Sequence, residues 1–508
     1  MIAKVKSFGI AGLDGYEVVV EVDTSIGKNS FDIVGLPDNA VKEAKDRVAS
    51  AIKNSGYAFP NRKIVVNLAP ADMPKSGSSF DLPVAVGILA ASGQIDSSYA
   101  DKVFFGELSL DGSVLPVRGV LPMLISAKEK GHNKFVLPAG NAKEASFVEN
   151  VTCFAVSSLA ELVTYLKGDI IPRPIPKAKW SSYKNEFASE DFCRVKGQKQ
   201  AKRALEIAVS GGHNILMVGP PGSGKTLLAK CVPSILPDLT FEEALEITKI
   251  HSVAGILDDK KGIVTSRPFR SPHHTASTVA LTGGGKNAKP GEISLAHNGV
   301  LFLDEMPEYS RSTLETLRQP LEDGQISVSR ISHTVTYPAS FILVASMNPC
   351  PCGNYGSKDL TCSCSPTQIH KYISKISGPL LDRIDLKIDV DRVSYAELGE
   401  KTDEEPSSAI KERVDRARAI QAKRFAGENI LTNAKMSNKL VKKYCVLSPE
   451  CEKLVEMAFE KYKLSARAYM RILKVARTIA DLDESENILP QHIAEAIGYR
   501  NIDKIENY

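Results

Sequence analysis

The run NILMVGPPGSGKTLLAK places three glycines, a lysine and a hydroxyl at the spacing that cradles phosphate between a strand and a helix. Gly219, Gly222 and Gly224 allow close backbone approach, and with Pro220, Pro221 and Ser223 they form a loop whose N–H groups converge on phosphate oxygens. Lys225 brings a compact charge to the β and γ phosphates, and the Thr226 hydroxyl is placed to ligate magnesium. The pattern should arise by chance only about 0.02 times in a chain of this length, so accident is a poor explanation and a degenerate nucleotide site is the bland alternative. A second apolar run, GVLFLDE, ends in Asp304 and Glu305, where an open α/β sheet places its ligands. Asp304 would join the magnesium shell and Glu305 would polarise the attacking water. A third run, SFILVASMN, ends at Asn348, whose amide could orient water, sense the γ phosphate or simply form a turn. The chemistry these runs predict is magnesium-dependent ATP binding and hydrolysis.

Other reactive types cluster less decisively. NPCPCGNYGSKDLTCSCSP carries Cys350, Cys352, Cys362 and Cys364 within fifteen residues. Four thiolates so close could close a tetrahedral structural zinc site or remain free thiols; no open ligand position suggests catalysis. The cysteines at 153, 193, 231, 445 and 451 are scattered as small core residues would be. His273 and His274 match no usual zinc spacing and read as packing or capping residues.

The elements that must position these groups follow from pattern and length. A chain of 508 residues exceeds one core, and two to four domains are expected. Residues 1–168 alternate strand-like and helical runs and read as an α/β domain. The proline-bearing segment DIIPRPIPKAKW opens a linker over 169–189. Residues 190–392 form a second α/β domain holding the phosphate chemistry, and 393–508 become mainly helical. No stretch has the apolar length of a membrane span and the first residues lack a secretory apolar core, so a cytoplasmic protein with no membrane partner is expected. Nine dilute cysteines fit a reducing compartment. A net charge of +4 is too small to argue for nucleic acid from bulk electrostatics.

The order GPPGSGKT, LFLDE, ASMNP, GPLLDRIDL and LSARAYMRILKVART resembles the AAA+ ATPases of the magnesium-chelatase-like branch, and within it the YifB and ComM family, over essentially the whole chain. The resemblance implies a P-loop AAA+ core with a C-terminal helical lid. It makes Arg383 the arginine finger that reaches a neighbouring subunit's ATP and Arg467 the sensor of the lid, hence a homo-oligomeric ring, a hexamer by analogy. From residue type alone, a surface salt bridge of Arg383 with Asp382 or Asp385 is the better reading. Lys225 and Asp304 are 79 positions apart, and the intervening RPFRSPHHTASTVALTGGGKNAKPGEISLAHNG resembles a helix-2 insertion. GQISVSRISHTVTYP resembles the hairpin such rings project into a pore. Arg267, Arg270, Lys286, Lys289, Arg330 and His333 would line that pore with charge for single-stranded or branched DNA, or form an ordinary solvated face.

MPKSGSSFDLPVAVGIL and FGELSLDGSVLPVRGVLPMLISAKEKG resemble the Lon protease domain, an S5-like α/β fold, with Ser79 at the nucleophile position. The partner lysine position is Met123, and neither Lys75 nor Lys128 is placed beside the serine by anything in the sequence, so the domain reads as catalytically silent. The leading expectation is a DNA-remodelling motor, a branch-migration helicase in natural transformation or recombination. A chelatase-like motor, an ATP-dependent protease and a protein remodeller are the other classes. Met123 disfavours the protease.

Overall fold

The computed structural model describes residues 2–73, 75–183, 190–258, 260–285, 288–329, 334–357, 360–393 and 404–500. The chain divides into two units, Met1–Lys184 with Thr240–Thr265, and Asn185–Leu239 with Ser266–Tyr508.

The first unit is built on a seven-stranded mixed sheet in the spatial order Ser30–Val34, Lys63–Ala69, Asp14–Ser25, Ile2–Ala11, Val103–Phe104, Lys134–Pro138 and Thr152–Val156. Strand alternation has its usual cause: Val18, Val20 and Val22 are fully buried while Glu17, Glu21 and Asp23 point to the wetter face. Helix Asp81–Ala91 is apolar all round and buried along its whole length. Its one acid, Asp81, is satisfied by a two-pronged contact from Arg47 at 2.8 and 3.1 Å. Ser79, just before this helix, is half-buried. Met123 is buried among Phe8, Phe105 and Leu124, and Lys75 is buried with its ammonium donating to the Pro70 carbonyl.

Two segments expected elsewhere belong to this unit. The proline-bearing stretch after residue 169 does not hang free: the Ile175 N–H donates to the carbonyl of Cys153 on the sheet's last strand at 2.8 Å, and Lys177 Nζ donates to Val148 O at 2.6 Å. Proline forbids helix there but leaves an extended chain able to pair with an edge. Residues 240–265, interior to the expected second domain, form helix Phe241–Ala254, opened by a Thr240–Glu243 capping box and ended by left-handed Gly255. Leu245 packs on the buried cluster around Met123, Phe241 meets Trp180 at 5.9 Å between ring centroids, and the Ser252 hydroxyl lies between Gly119 N–H and the Glu144 carboxylate.

The second unit carries five parallel strands in the order Phe269–Arg270, Val300–Leu303, Ile342–Met347, Ile215–Val218 and Leu386–Asp389. This is a P-loop AAA+-like α/β core. The strand ending at Asn348 lies between the phosphate-loop strand and the acidic strand, so three chain ends meet at one edge of the sheet. The central strands are buried on both faces, which is why Val300–Leu303 and Ile215–Val218 are unbroken apolar runs and Ile342–Met347 is interrupted only by Ser346. The C-terminal helices Ser407–Arg424, Asn438–Tyr444, Pro449–Lys461, Ala466–Leu482 and Pro490–Gly498 add to the same core, with Ile472, Val475, Ala476 and Ile479 buried against Ala204, Leu205 and Ala208 of helix Lys199–Gly211. Among the described residues, no helix is long and apolar enough to cross a membrane.

A fully buried acid pins this helical part. Asp481 accepts from Arg424 through both oxygens, from Arg477 Nε at 3.1 Å and from Asn433 Nδ2 at 2.8 Å, and Thr478 on the same helix meets His213 Nε2 at 2.8 Å. Removing one partner of such a network leaves buried charge uncompensated. Asp481→Ala should therefore destabilise the second unit by about 3–5 kcal/mol, read as a lowered urea midpoint of its unfolding transition. A variant within experimental error of the wild type would show that Arg424 and Arg477 find water instead.

Candidate active site

Backbone geometry fixes the loop before any side chain acts. Gly219 stands where a Cβ would lie 2.0 Å from the Val390 carbonyl oxygen, and Gly222 and Gly224 take φ of +78° and +89°. Only glycine meets the first condition without displacing the neighbouring chain, and it meets the second without strain. Gly219, Pro220, Pro221, Gly222, Ser223 and Gly224 then lead directly into helix Lys225–Cys231.

Lys225 is buried and its ammonium turns back onto the loop, donating to the carbonyls of Gly219 and Pro220 at 2.8 Å each and reaching Ser223 Oγ and Asn348 Oδ1 at 3.4 Å. Burial pushes its pKa down to about 8, against the raising influence of Asp304 and Glu305. Thr226 Oγ1 donates to Asp304 Oδ2 at 2.8 Å, while Asp304 Oδ1 takes the Ser346 hydroxyl and the Glu305 N–H, the latter at 3.1 Å. Glu305 has φ of +52°, an unusual conformation for a side-chain-bearing residue. The structure thus brings Lys225, Thr226, Asp304, Glu305 and Asn348 together. A hydroxyl and a carboxylate within hydrogen-bonding distance offer the hard oxygen ligands that suit magnesium.

Several neighbours of this site carry no motif. His274 Nδ1 lies 3.7 Å from Glu305 Oε2, stacked on His273 at 4.1 Å between centroids and edge-on to Tyr309. The histidines follow the strand Phe269–Arg270, which neighbours the acidic strand, so strand order was the signal that could have found them. Gln198, in a left-handed conformation, donates from Nε2 to Asp391 O at 2.6 Å and Ser223 O at 3.4 Å, and Arg392 reaches Pro221 O at 3.4 Å. Both line a cavity of about 910 Å³ beside the loop, together with Gly197, Arg203 and Arg413.

Arg383 does not extend outward in the single chain. It is 7% exposed, donates to Pro379 O at 2.6 Å and to Glu322, and its Nε has no hydrogen-bond partner among the described residues. Arg467, at the start of helix Ala466–Leu482, donates to the other oxygen of the same Glu322. Neither Asp382 nor Asp385 is the partner of Arg383: Asp385 pairs with Arg471 and takes the Asn214 N–H at 3.0 Å. Burial raises the Glu322 pKa, but Arg383 and then Arg467 more than reverse it and hold the carboxyl below its ordinary value.

The charge expected on the insertions is differently spent. Arg267 donates to the carbonyls of Pro237, Asp238 and Asn298 at 2.7, 3.3 and 2.8 Å, tying together the points where the chain leaves and rejoins this unit around residues 240–265. Arg270 forms a two-pronged pair with Glu292 at 2.6 and 2.8 Å. Lys289 is exposed. Arg330, His333 and Lys286 lie outside the described residues. The two hairpins, Gly283–Gly284 with Lys289–Pro290 and Gln325–Ser329 with Thr334–Pro338, are joined where buried Tyr337 donates its hydroxyl to Ala288 O at 2.7 Å.

The ligand atoms of Cys350, Cys352, Cys362 and Cys364 all lie within 4.8 Å of one another. Backbone N–H groups of Tyr355 and Cys352 point at the sulfurs of Cys350 and Cys364 at 3.3 and 3.4 Å. The Cys352 thiol is pushed down to about 5, with the Asn354 backbone N–H as the leading cause. Cys153, Cys231, Cys445 and Cys451 are buried, but Cys193 is exposed rather than a core residue.

Comparison with known proteins places this geometry among relatives. The family described as magnesium chelatase, subunit ChlI, matches residues 191–398, with companion ChlI families matching 20–141 and the C-terminal 404–500. Competence protein ComM of Haemophilus influenzae is 44% identical across 98% of this chain and 97% of its own length. The protein YifB of Escherichia coli is 44% identical across 97% of this chain and 96% of its own. The magnesium-chelatase 38 kDa subunit of Chlorobaculum parvum is 21% identical over 60% of this chain.

A nucleotide phosphate beside Lys225 must raise the pKa of that lysine from about 8. Below that pH the amine is already charged and affinity for ATP should be flat. Above it, binding takes up a proton, and affinity should fall by up to about tenfold per pH unit. A fluorescent ATP analogue titrated from about pH 7 to 9.5, with calorimetry in buffers of different ionisation heat, reads both effects. Affinity that stays level through about pH 9 without proton uptake would show that Lys225 is not depressed.

Proposed function

Since the chain belongs to the family of ComM and YifB, within the magnesium-chelatase-like AAA+ proteins, we propose that it is a ring-forming ATPase that couples ATP hydrolysis to remodelling of single-stranded or branched DNA. The observation that carries the ATPase reading is the hydrogen bond from Thr226 to Asp304 beside a buried Lys225, with Glu305 and Asn348 at the same sheet edge. In this reading the loop N–H groups and Lys225 take the β and γ phosphates, releasing the ammonium from the Gly219 and Pro220 carbonyls. Thr226 and Asp304 would hold magnesium, which would neutralise charge on the phosphates. Glu305 accepts the proton of the attacking water, and Asn348 holds the γ phosphate or that water in line. The base lies in the cavity at Gln198 and Arg392.

Arg383 and Arg467 act at the phosphates, Arg383 across a subunit boundary in a homo-hexamer and Arg467 from the helical lid formed by the C-terminal helices. Both must leave Glu322 to do so, exchanging a carboxylate for a phosphate. The first unit is a Lon-like domain that carries no protease chemistry, because the position of the partner amine is Met123 and the Lys75 ammonium is taken by Pro70 O. The four-cysteine loop holds structural zinc. Competence protein ComM gives the DNA reading its pathway, natural transformation or recombination, with Arg330 and the hairpin tips as the contact. The engagement of Arg267 and Arg270 within the protein favours a second reading, a chelatase-like or protein-remodelling motor that does not act on DNA.

ATP turnover measured alone and with linear, single-stranded and four-way-junction DNA separates the two. The DNA motor predicts stimulation by single-stranded or branched DNA, loss of nucleotide binding in Lys225→Ala, and ATP bound but turned over about a hundredfold more slowly in Glu305→Gln. An assembled, ATP-hydrolysing ring indifferent to every DNA would refute the DNA motor and favour the protein remodeller. Absence of ATP turnover in the wild type would refute both.

A further inference from the structure

The cysteine loop touches the phosphate site at its start and its middle, and the helix that follows it returns to that start. Cys350 follows Asn348 by two residues, and the Asn348 amide oxygen accepts from Lys225 at 3.4 Å. In the middle, Gly353 takes φ of +83° and comes so close to Pro221 that a Cβ would lie 2.5 Å from its Cδ. Pro221 is held on its carbonyl by Arg392 at 3.4 Å. At the far end Cys364 leads into Ser365, which opens helix Pro366–Ile373 with a reciprocal Ser365–Gln368 box. That helix returns the buried Tyr372 hydroxyl to the backbone N–H of Asn348.

The sulfurs themselves are set for a small ion. Cys350 and Cys352 are 3.3 Å apart, Cys352 and Cys362 3.6 Å, and Cys350 and Cys362 3.7 Å. Zinc–sulfur bonds of about 2.3 Å in a tetrahedron put sulfurs about 3.8 Å apart. N–H groups aimed at two of the sulfurs are the outer-shell support that metal thiolates use. Four protein ligands leave no position for water, so the ion would hold shape rather than activate a nucleophile.

We propose that the four thiolates bind one zinc ion and that this ion clamps the phosphate loop, pressing Gly353 on Pro221 and holding Asn348 beside Lys225, so that ATP affinity depends on zinc occupancy. The coupling rests on the ATPase reading above. The metal sets a distance that the loop, at fifteen residues from Cys350 to Cys364, would otherwise leave to chain entropy. It therefore acts through Asn348, which accepts from Lys225, and Pro221, which belongs to the phosphate loop.

The full chain, purified without chelators, is assayed for zinc and iron per subunit and for binding of a fluorescent ATP analogue. Wild type should carry about one zinc and bind the analogue. Cys362→Ser with Cys364→Ser should lose the metal, keep native circular dichroism and bind the analogue about tenfold or more weakly. Cys362→His, a conservative zinc ligand, should recover both. Gly353→Ala should keep full zinc yet weaken the analogue several-fold, because the new Cβ displaces Pro221. Metal-free wild type, or iron in place of zinc, overturns the site. Zinc-free protein with unchanged nucleotide affinity, or Gly353→Ala with unchanged affinity, overturns the clamp and leaves the ATPase reading intact. Zinc-loaded wild type that binds no nucleotide overturns the ATPase reading and the clamp with it.

Discussion

Val218 is paired in register with Met347 on one side and Asp389 on the other, and Leu303 with Ala345 beyond. This parallel register decides where the reacting groups fall: Gly219 and Asn348 follow level strand ends, and the acidic strand ends two residues lower, which sets Asp304 beside Ser346. Lys225 follows one strand by a tight glycine turn, Asp304 and Glu305 follow another directly, and Asn348 follows the strand between them. A slip of one residue in any pairing would turn its side chains to the opposite face and separate Thr226 from Asp304. The apolar runs that bury both faces of the sheet are what make such a slip costly.

At this edge and at the opposite one, where Arg383 precedes strand Leu386–Asp389 beside Asn214, the cations rest on an anion or a carbonyl. Lys225 rests on loop carbonyls, Arg383 and Arg467 share Glu322, and Glu305 faces His274. A buried guanidinium left alone would cost several kcal/mol, so a carboxylate in waiting is a physical necessity in any state without phosphate. The sharing of one carboxylate by two arginines has a further effect, since displacing one strengthens the hold on the other. Their release is linked.

Sequence made the chemistry legible to the extent that one short segment carries it. The glycine loop, the acidic pair and Asn348 each sit within a few residues of an apolar strand, and motif spacing with the apolar run before each one is enough to single them out. Glu322 was not legible, because its meaning comes from two partners 61 and 145 residues away. His274 was named for packing or capping, and its approach to Glu305 depends on strand order rather than spacing. The proline-bearing stretch read as linker because proline excludes helix, yet excluding helix leaves edge pairing open. Helix Phe241–Ala254 carried the larger surprise: its capping box and apolar positions announce a helix, but nothing in them says which core it serves.

That helix has a consequence for the order in which the molecule can form. The first unit is not finished when residue 184 has been made; its apolar face around Met123 and Phe135 waits for Leu245, and Trp180 waits for Phe241, both of which follow the phosphate loop in the chain. A ribosome adds roughly 5–20 residues each second, so the wait is on the order of seconds, a period in which that face is open to chaperones or to misassembly. The two units are thus sewn by three chain passages rather than joined by one. A chain that stops after the proline-bearing stretch lacks helix Phe241–Ala254, and so lacks part of the first unit.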